Sequence, residues 1–241
     1  MKNLAIVIPT LNEEENIEKL VKQIKKQLPK ATILIVDDSK NKDIGKIIVK
    51  KKLKAKYFHR TNGFGRGSAV LYGLKKAIKL KKNFFIEMDA DFSHNPNELK
   101  RNINIFNRKK LDLLIASRYL NKSKISNWSI SRRIFSKLAN FLARILLQIP
   151  VKDFTNGFRI YSKKSVEIIL SNCGKIGDGF IILSEILLYL YHFNCKIGET
   201  NTIFLNRTRG ASSVNMKLVF QSFLGLLKLY KIKKKLRIKK D

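Results

Sequence analysis

Leu4-Ala5-Ile6-Val7-Ile8-Pro9-Thr10-Leu11-Asn12-Glu13 is an apolar run that stops at a proline and passes into acids. Beyond it, apolar side chains recur at Ile17, Leu20, Val21, Ile24 and Leu28. A run of five followed by a period near 3.6 reads as a strand over 4–8 feeding a helix over 13–28. The alternation continues outward, with strands expected at 32–36, 56–58, 84–88 and 113–116. A second helix over 67–80 is carried by Val70, Leu71, Leu74, Ala77 and Ile78. Strands and helices in turn predict an α/β fold with a parallel or mostly parallel central sheet flanked by helices. Open sheets of this kind bind ligands at the carboxyl ends of their strands. That rule sets 9–15, 37–42 and 89–96 on one rim.

The second half is less regular. Residues 128–147 read as one long amphipathic helix bearing Arg132, Arg133, Lys137 and Arg144, and 180–193 as a more apolar helix packed on the core. From residue 215 an apolar stretch leads into the dense basic run 231–240. No internal repeat and no Pro/Gly/Ser-rich linker interrupts the chain. The organisation expected is one domain over 1–214 and an amphipathic, basic helical extension over 215–241.

The 241 residues hold 50 Lys+Arg against 18 Asp+Glu, a formal net charge of +32. Such a charge fits a polyanionic partner or an anionic membrane surface. The excess is mostly Lys spread along the whole chain, and no zinc pattern, RNA-recognition aromatic signature or basic recognition helix accompanies it, which argues against nucleic acid. Cys173 and Cys195 lack C-x-x-C spacing and a nearby His pattern, so neither a disulfide framework nor a zinc site is expected. The run at 4–8 is too short for a signal-peptide core. No window reaches the roughly 18 to 20 apolar residues that span a bilayer. A reducing compartment follows, with any membrane contact peripheral. The pattern carries no reading of oligomeric state.

In so basic a chain the acids stand out, and several end strands. Asp37 and Asp38 follow Val36; Asp89-Ala90-Asp91 follow Met88. Asp37 alone reads as a cap for the next helix. Asp38 suits hydrogen bonding to a ribose or a base edge, and Glu13 is placed to join the same pocket. Asp89 and Asp91 can offer oxygen ligands to a hard divalent cation, which would in turn hold a diphosphate.

Four stretches then fall into line: residues 7–13, 36–39, 88–94 and Asp153-Phe154-Thr155-Asn156-Gly157-Phe158-Arg159. Together they resemble the inverting GT-A glycosyltransferases of family 2, and within it the dolichyl-phosphate and related polyprenyl-phosphate sugar transferases, over about 4–213. The resemblance implies a nucleotide-sugar site built by Pro9, Leu11, Glu13, Val36 and Asp38, with Asp89, Ala90 and Asp91 at the diphosphate. It implies Mg²⁺ or Mn²⁺ on Asp89 and Asp91, completed by Ser93. The glycine-rich stretch 60–68 matches the family's turn before a helix, and its glycines read as packing and turn residues. On the acceptor side Arg118, Arg132 and Ser136 match positions that hold a lipid phosphate; Arg207 matches an Arg near the leaving diphosphate. Glu199 reads as structural.

Two departures stand out. Ser213 occupies the place of a family Lys six residues after Arg207, with Lys217 the nearest replacement, and Asn156 replaces a more usual Ser. The implied reaction moves a hexose, mannose from GDP-mannose first among the options, onto a polyprenyl phosphate with inversion; UDP-glucose or another nucleotide sugar is the alternative donor. The place expected is the cytoplasmic face of a membrane; the apolar C-terminal stretch with its basic run reads as lying on anionic lipid, with packing on the core or on a partner as the alternative readings.

Overall fold

The structure is a computed structural model that describes residues 3–62, 65–177, 179, 181–206 and 216–238, with the side chains of 216–222, 237 and 238 outside the description. Five strands lie where the apolar runs predict them, each a residue or two from the expected bounds: β1 (Leu4–Thr10), β2 (Thr32–Asp37), β3 (Ala55–His59), β4 (Phe84–Glu87) and β5 (Leu113–Ser117). The short pair β6 (Lys124–Ile125) and β9 (Ile203–Phe204), with β7 (Arg159–Ser162) and β8 (Ile197–Asn201), completes the set. Seven strands form one sheet in the order β3-β2-β1-β4-β7-β5-β8. Every neighbour is parallel except β7, which runs antiparallel to both β4 and β5. β6 and β9 make a separate parallel pair.

The period of two along each strand divides the core between the faces of the sheet. On β1, Leu4, Ile6 and Ile8 face one cluster while Ala5 and Val7 face the other; on β2, Ile33 and Ile35 separate in the same way from Leu34 and Val36. The first cluster is covered by α1 (Glu14–Gln27), α2 (Asp43–Lys50) and α4 (Leu99–Arg108). The second is covered by α3 (Arg66–Lys79), α5 (Ile130–Leu147), α6 (Lys163–Asn172), α7 (Ile181–His192) and α8 (Met216–Ile238). Gly73 allows α3 to lie close on β1, since an added Cβ would overlap Val7.

The C-terminal stretch lies on the same core. Leu226 and Leu229 of α8 are buried in the second cluster, Ile232 and Leu236 pack against it, and α8 touches α5 and α7. Lys233 is buried and donates to the Leu146 carbonyl (3.0 Å) and to Gln148 Oε1 (2.8 Å). Among the described residues no helix is long and apolar enough to cross a membrane. Both cysteines are free, as their spacing predicts.

Candidate active site

The strand order sets the tips of β2, β1 and β4 side by side, and short bonds tie their loops together. Asp38 N donates to the Thr10 carbonyl (3.0 Å), Asn12 N to Ser39 Oγ (2.8 Å) and Met88 N to the Val7 carbonyl (3.2 Å). Pro9, Leu11, Glu13, Val36 and Asp38 are thus brought to one edge. Leu11 is exposed, and Glu13 accepts from Asn16 Nδ2 at 2.6 Å.

Asp37 departs from the expected helix cap. α2 starts six residues later without a side-chain cap bond. Instead the fully buried Asp37 carboxylate accepts from Thr10 Oγ1 (3.1 Å), Ser39 N (3.1 Å), Ser39 Oγ (2.6 Å) and Tyr57 OH (2.8 Å). Desolvation and four donors make it a pin across the tips of β1, β2 and β3. Burial, then the bond to Asp37, raises the Tyr57 pKa.

Two arginines of the glycine-rich stretch, unassigned from sequence, carry the electrostatics of this rim. Arg60 grips Asp38 with Nε to Oδ1 at 2.6 Å and Nη2 to Oδ2 at 2.5 Å, while Gly65 N also donates to Oδ2 at 3.1 Å. Gly65 has a φ of 132°, which brings its N–H round to the carboxylate in a conformation that L side chains resist. Arg66, the first residue of α3, donates from Nε to Asp89 Oδ1 (2.8 Å) and from Nη1 to Glu87 Oε1 (2.6 Å), with Nη2 also 2.7 Å from Asp89 Oδ1. Glu87 is fully buried and accepts from Tyr161 OH at 2.7 Å. Burial opposes the charge on Arg66, but Asp89 and then Glu87 more than offset it, so its pKa is raised. The backbone at Gly157 passes so close that an added Cβ would overlap the Arg66 guanidinium.

His94 ties the Asp89 loop to the same motif. Its Nδ1 accepts from Asp89 N (2.9 Å), which sets the proton on Nε2, 2.9 Å from Asn156 Oδ1. The ring stacks on Phe158 at 5.2 Å, and Asn156 Nδ2 in turn donates to the Ala116 carbonyl. Arg159 is wholly buried and donates to the carbonyls of Phe154, Asn156 and Leu183, so it holds this loop together.

Asp91 is buried and accepts from Ser93 N at 3.0 Å. Ser93 Oγ is also buried and has no hydrogen-bond partner among the described residues. An orphaned hydroxyl beside a carboxylate is an oxygen donor set suited to a hard cation. The residues therefore fit Mg²⁺ or Mn²⁺. No cluster of three or more His, Cys, Asp or Glu with metal-ligating geometry occurs among the described residues. Any cation here would keep water or ligand oxygens in its shell.

Beyond β5, Arg118 enters a buried ion pair: Nε and Nη2 donate to the two oxygens of Asp153 at 2.8 Å each, and Nη2 also reaches Thr155 Oγ1 at 2.6 Å. Burial raises a carboxyl pKa, but Arg118 reverses the effect and holds Asp153 below its usual value. Ser136 accepts from Tyr119 OH at 2.6 Å. Arg132 lies over the Trp128 ring at 4.2 Å and donates from Nη1 to Asn206 Oδ1 at 3.1 Å; Arg118 sits 5.4 Å from the same ring. Arg118, Arg132 and Ser136 therefore gather about Trp128 and Tyr119. Ser93 O accepts from Leu205 N (3.3 Å) and Asn206 accepts from Arg132, so the stretch 205–206 joins the Asp91–Ser93 loop to α5. Arg207 and Ser213 lie outside the described residues, as does the side chain of Lys217. Glu199 accepts from the N–H groups of Lys152 (2.9 Å) and Asp153 (3.0 Å), a structural role.

Arg60, Arg66, His94 and Glu87 are the site residues that sequence reasoning missed. A usable signal exists in the composition: only a dozen of the 50 basic residues are Arg. Arg60 and Arg66 are exceptions in a Lys-rich background, beside a turn that faces the acidic tips.

A rim of acids at the carboxyl ends of a mostly parallel sheet, with one antiparallel strand inserted beside β4, is the architecture of the GT-A glycosyltransferases. Glucosyl-3-phosphoglycerate synthase from Mycobacterium tuberculosis, solved with Mn²⁺, UDP and glucosyl-3-phosphoglycerate, shares it with a TM-score of 0.68 at 16% identity, over 95% of this chain and 80% of that one. The profile of glycosyl transferase family 2 matches residues 5–170, and the chain belongs to that family. It is 34% identical over 168 residues to polyprenol monophosphomannose synthase from Mycolicibacterium smegmatis, covering 68% of this chain and 63% of the relative. It is 33% identical over 234 residues to dolichol-phosphate mannosyltransferase from Pyrococcus furiosus, covering 95% of this chain and 64% of that one. The chain thus spans just under two thirds of these relatives.

Proposed function

We propose that this protein transfers a hexose, mannose from GDP-mannose first among the donors, onto a polyprenyl phosphate with inversion at the anomeric carbon. The observation that carries the reading is the meeting of an acidic, cation-compatible rim with Arg118 and Arg132, beside a helix whose outer face is apolar. The names of the two mannosyltransferase relatives support the choice of sugar and acceptor.

The nucleoside belongs with Pro9, Leu11, Glu13, Val36 and Asp38, and the diphosphate with Asp89, Ala90, Asp91 and Arg207. Asp91, Ser93 and Asp89 would hold Mg²⁺ or Mn²⁺, which when bound supplies positive charge to the leaving diphosphate. A phosphate monoester is anionic near neutral pH, so the acceptor oxygen attacks without a strong protein base. The protein's task is to position and neutralise it. Arg132 and Ser136 lie at the proposed acceptor end, and Arg118, fixed by Asp153, lends positive potential behind them.

α5 gives the lipid a surface. Ile134, Leu138, Phe141 and Ile145 follow one helix face, each roughly half exposed (48–59%), with exposed Arg133, Lys137 and Arg144 alongside. Phe223, Leu224 and Leu227 of the adjoining α8 are exposed as well. Apolar side chains flanked by cations fit an anionic bilayer interface. This favours α5 with α8 as the membrane contact, and the basic run at 231–240 as an electrostatic supplement. Incubation with Mg²⁺, a polyprenyl phosphate and a panel of nucleotide sugars, read by mass spectrometry of the lipid, tests the proposal. Glycosyl polyprenyl phosphate is the expected product, and no lipid product from any donor overturns it.

A further inference from the structure

Arg66 is a costly choice of residue for its place. A cation in the first turn of a helix opposes the helix dipole, and here the guanidinium is also largely buried. The two carboxylates it touches are what make it tolerable, and they differ in kind. Glu87 is fully buried on β4, paired on its other oxygen with Tyr161. Asp89 is 21% exposed at the rim, within the loop that also carries Asp91 and Ser93. The guanidinium therefore has one anchor sealed from solvent and one partner that an ion arriving from solvent can reach. Its planar fork can serve two carboxylates at once, which a Lys ammonium on a flexible stem does less well.

Resting on the cation assignment above, we propose that Arg66 is an exchangeable counter-ion for Asp89. It neutralises that carboxylate in the metal-free protein and yields it when a divalent cation binds, remaining held by Glu87. The protein thereby keeps a cluster of acids stable without metal, and its affinity for metal alone is held down by the same contact. Gly157 belongs to this device, because any side chain there would overlap the space the guanidinium occupies.

Two measurements on the full chain test it. Mn²⁺ binding without nucleotide, followed by electron paramagnetic resonance, is expected to tighten at least tenfold in Arg66→Gln, to stay within about threefold of the parent in Arg66→Lys, and to weaken in Glu87→Gln, where Arg66 leans harder on Asp89. The Arg66 Nε–H resonance, assigned by its loss in Arg66→Lys, is expected to shift and to exchange faster with water as diamagnetic Mg²⁺ is added. Unchanged or weaker Mn²⁺ binding by a folded Arg66→Gln overturns the proposal, as does an Nε–H signal indifferent to Mg²⁺. If Arg66→Gln does not fold, Glu87→Gln decides, with unchanged or tighter binding as the overturning result. Asp91→Asn separates this proposal from its premise: Mn²⁺ binding untouched by that change removes the cation assignment and the exchange with it, whereas loss there beside an unchanged Arg66→Gln removes the exchange alone.

Discussion

The two ends of the sheet handle charge in opposite ways. At the β3-β2-β1-β4 end, Asp38 and Asp89 are met by Arg60, just after β3, and Arg66, which opens α3. At the β7-β5-β8 end, Asp153 is met by Arg118 from 35 residues away, and the adjoining helix turns an apolar face outward. Counter-charges carried together at the partly exposed rim suit the proposed water-soluble donor, which must come and go. A buried pair suits a fixed wall behind the proposed lipid-borne acceptor.

The largest effect expected is at the first end. Asp91→Asn should lower transfer on the order of a thousandfold, with an unchanged circular-dichroism spectrum; near-normal transfer would erase the distinction between a cation rim and an ordinary loop. At the second end, Asp153→Ala leaves Arg118 buried without its acid and should cost about 3–5 kcal/mol of stability by urea unfolding. A loss under 1 kcal/mol would mean that the pair is not the wall described.

Smaller changes sharpen the contrast. Phe141→Ser with Ile145→Ser removes half-exposed apolar surface and should weaken binding to anionic vesicles by about 2 kcal/mol, roughly thirtyfold, while leaving nucleotide binding alone. Replacing the exposed Lys231, Lys234 and Lys235 by Gln should weaken it more at low salt than at high salt, because ions screen the basic run. Arg132→Ala should raise the KM for polyprenyl phosphate about tenfold, with the donor KM unmoved. The pH dependence is the mildest test. Because the folded Asp153 pKa is lowered, its contribution is complete above the unfolded value of roughly 3.9 and fades as pH falls through the folded one. The stability gap between the parent and Asp153→Asn should therefore narrow only in that acid range, and a gap independent of pH would deny the pair its charge.

The same contrast explains what could be read in advance. The parallel half is legible because each of its strands is an apolar run and α1 and α3 repeat at helical spacing. Asp38, Asp89, Asp91 and Glu13 were visible as acids at strand ends in a chain poor in acids. β7 was not visible: Arg-Ile-Tyr-Ser has no run to notice, and its place is set by antiparallel pairing to β4 and β5, far apart in sequence. α2, α4 and α6 were left unassigned, each ten residues or fewer and rich in Lys or Asn. Spacing likewise hides the bond from His94 to Asn156, 62 residues apart, because only the fold brings the two loops together.

Trp128, held between Arg132 and Arg118, is the chain's single tryptophan. Its buried indole has a cation at 4.2 Å and Phe204 edge-on at 5.3 Å. The proposed acceptor end therefore carries its own optical probe. Any phosphate that draws the Arg132 guanidinium away from the ring will change the emission of this one indole, with no second tryptophan to mask it.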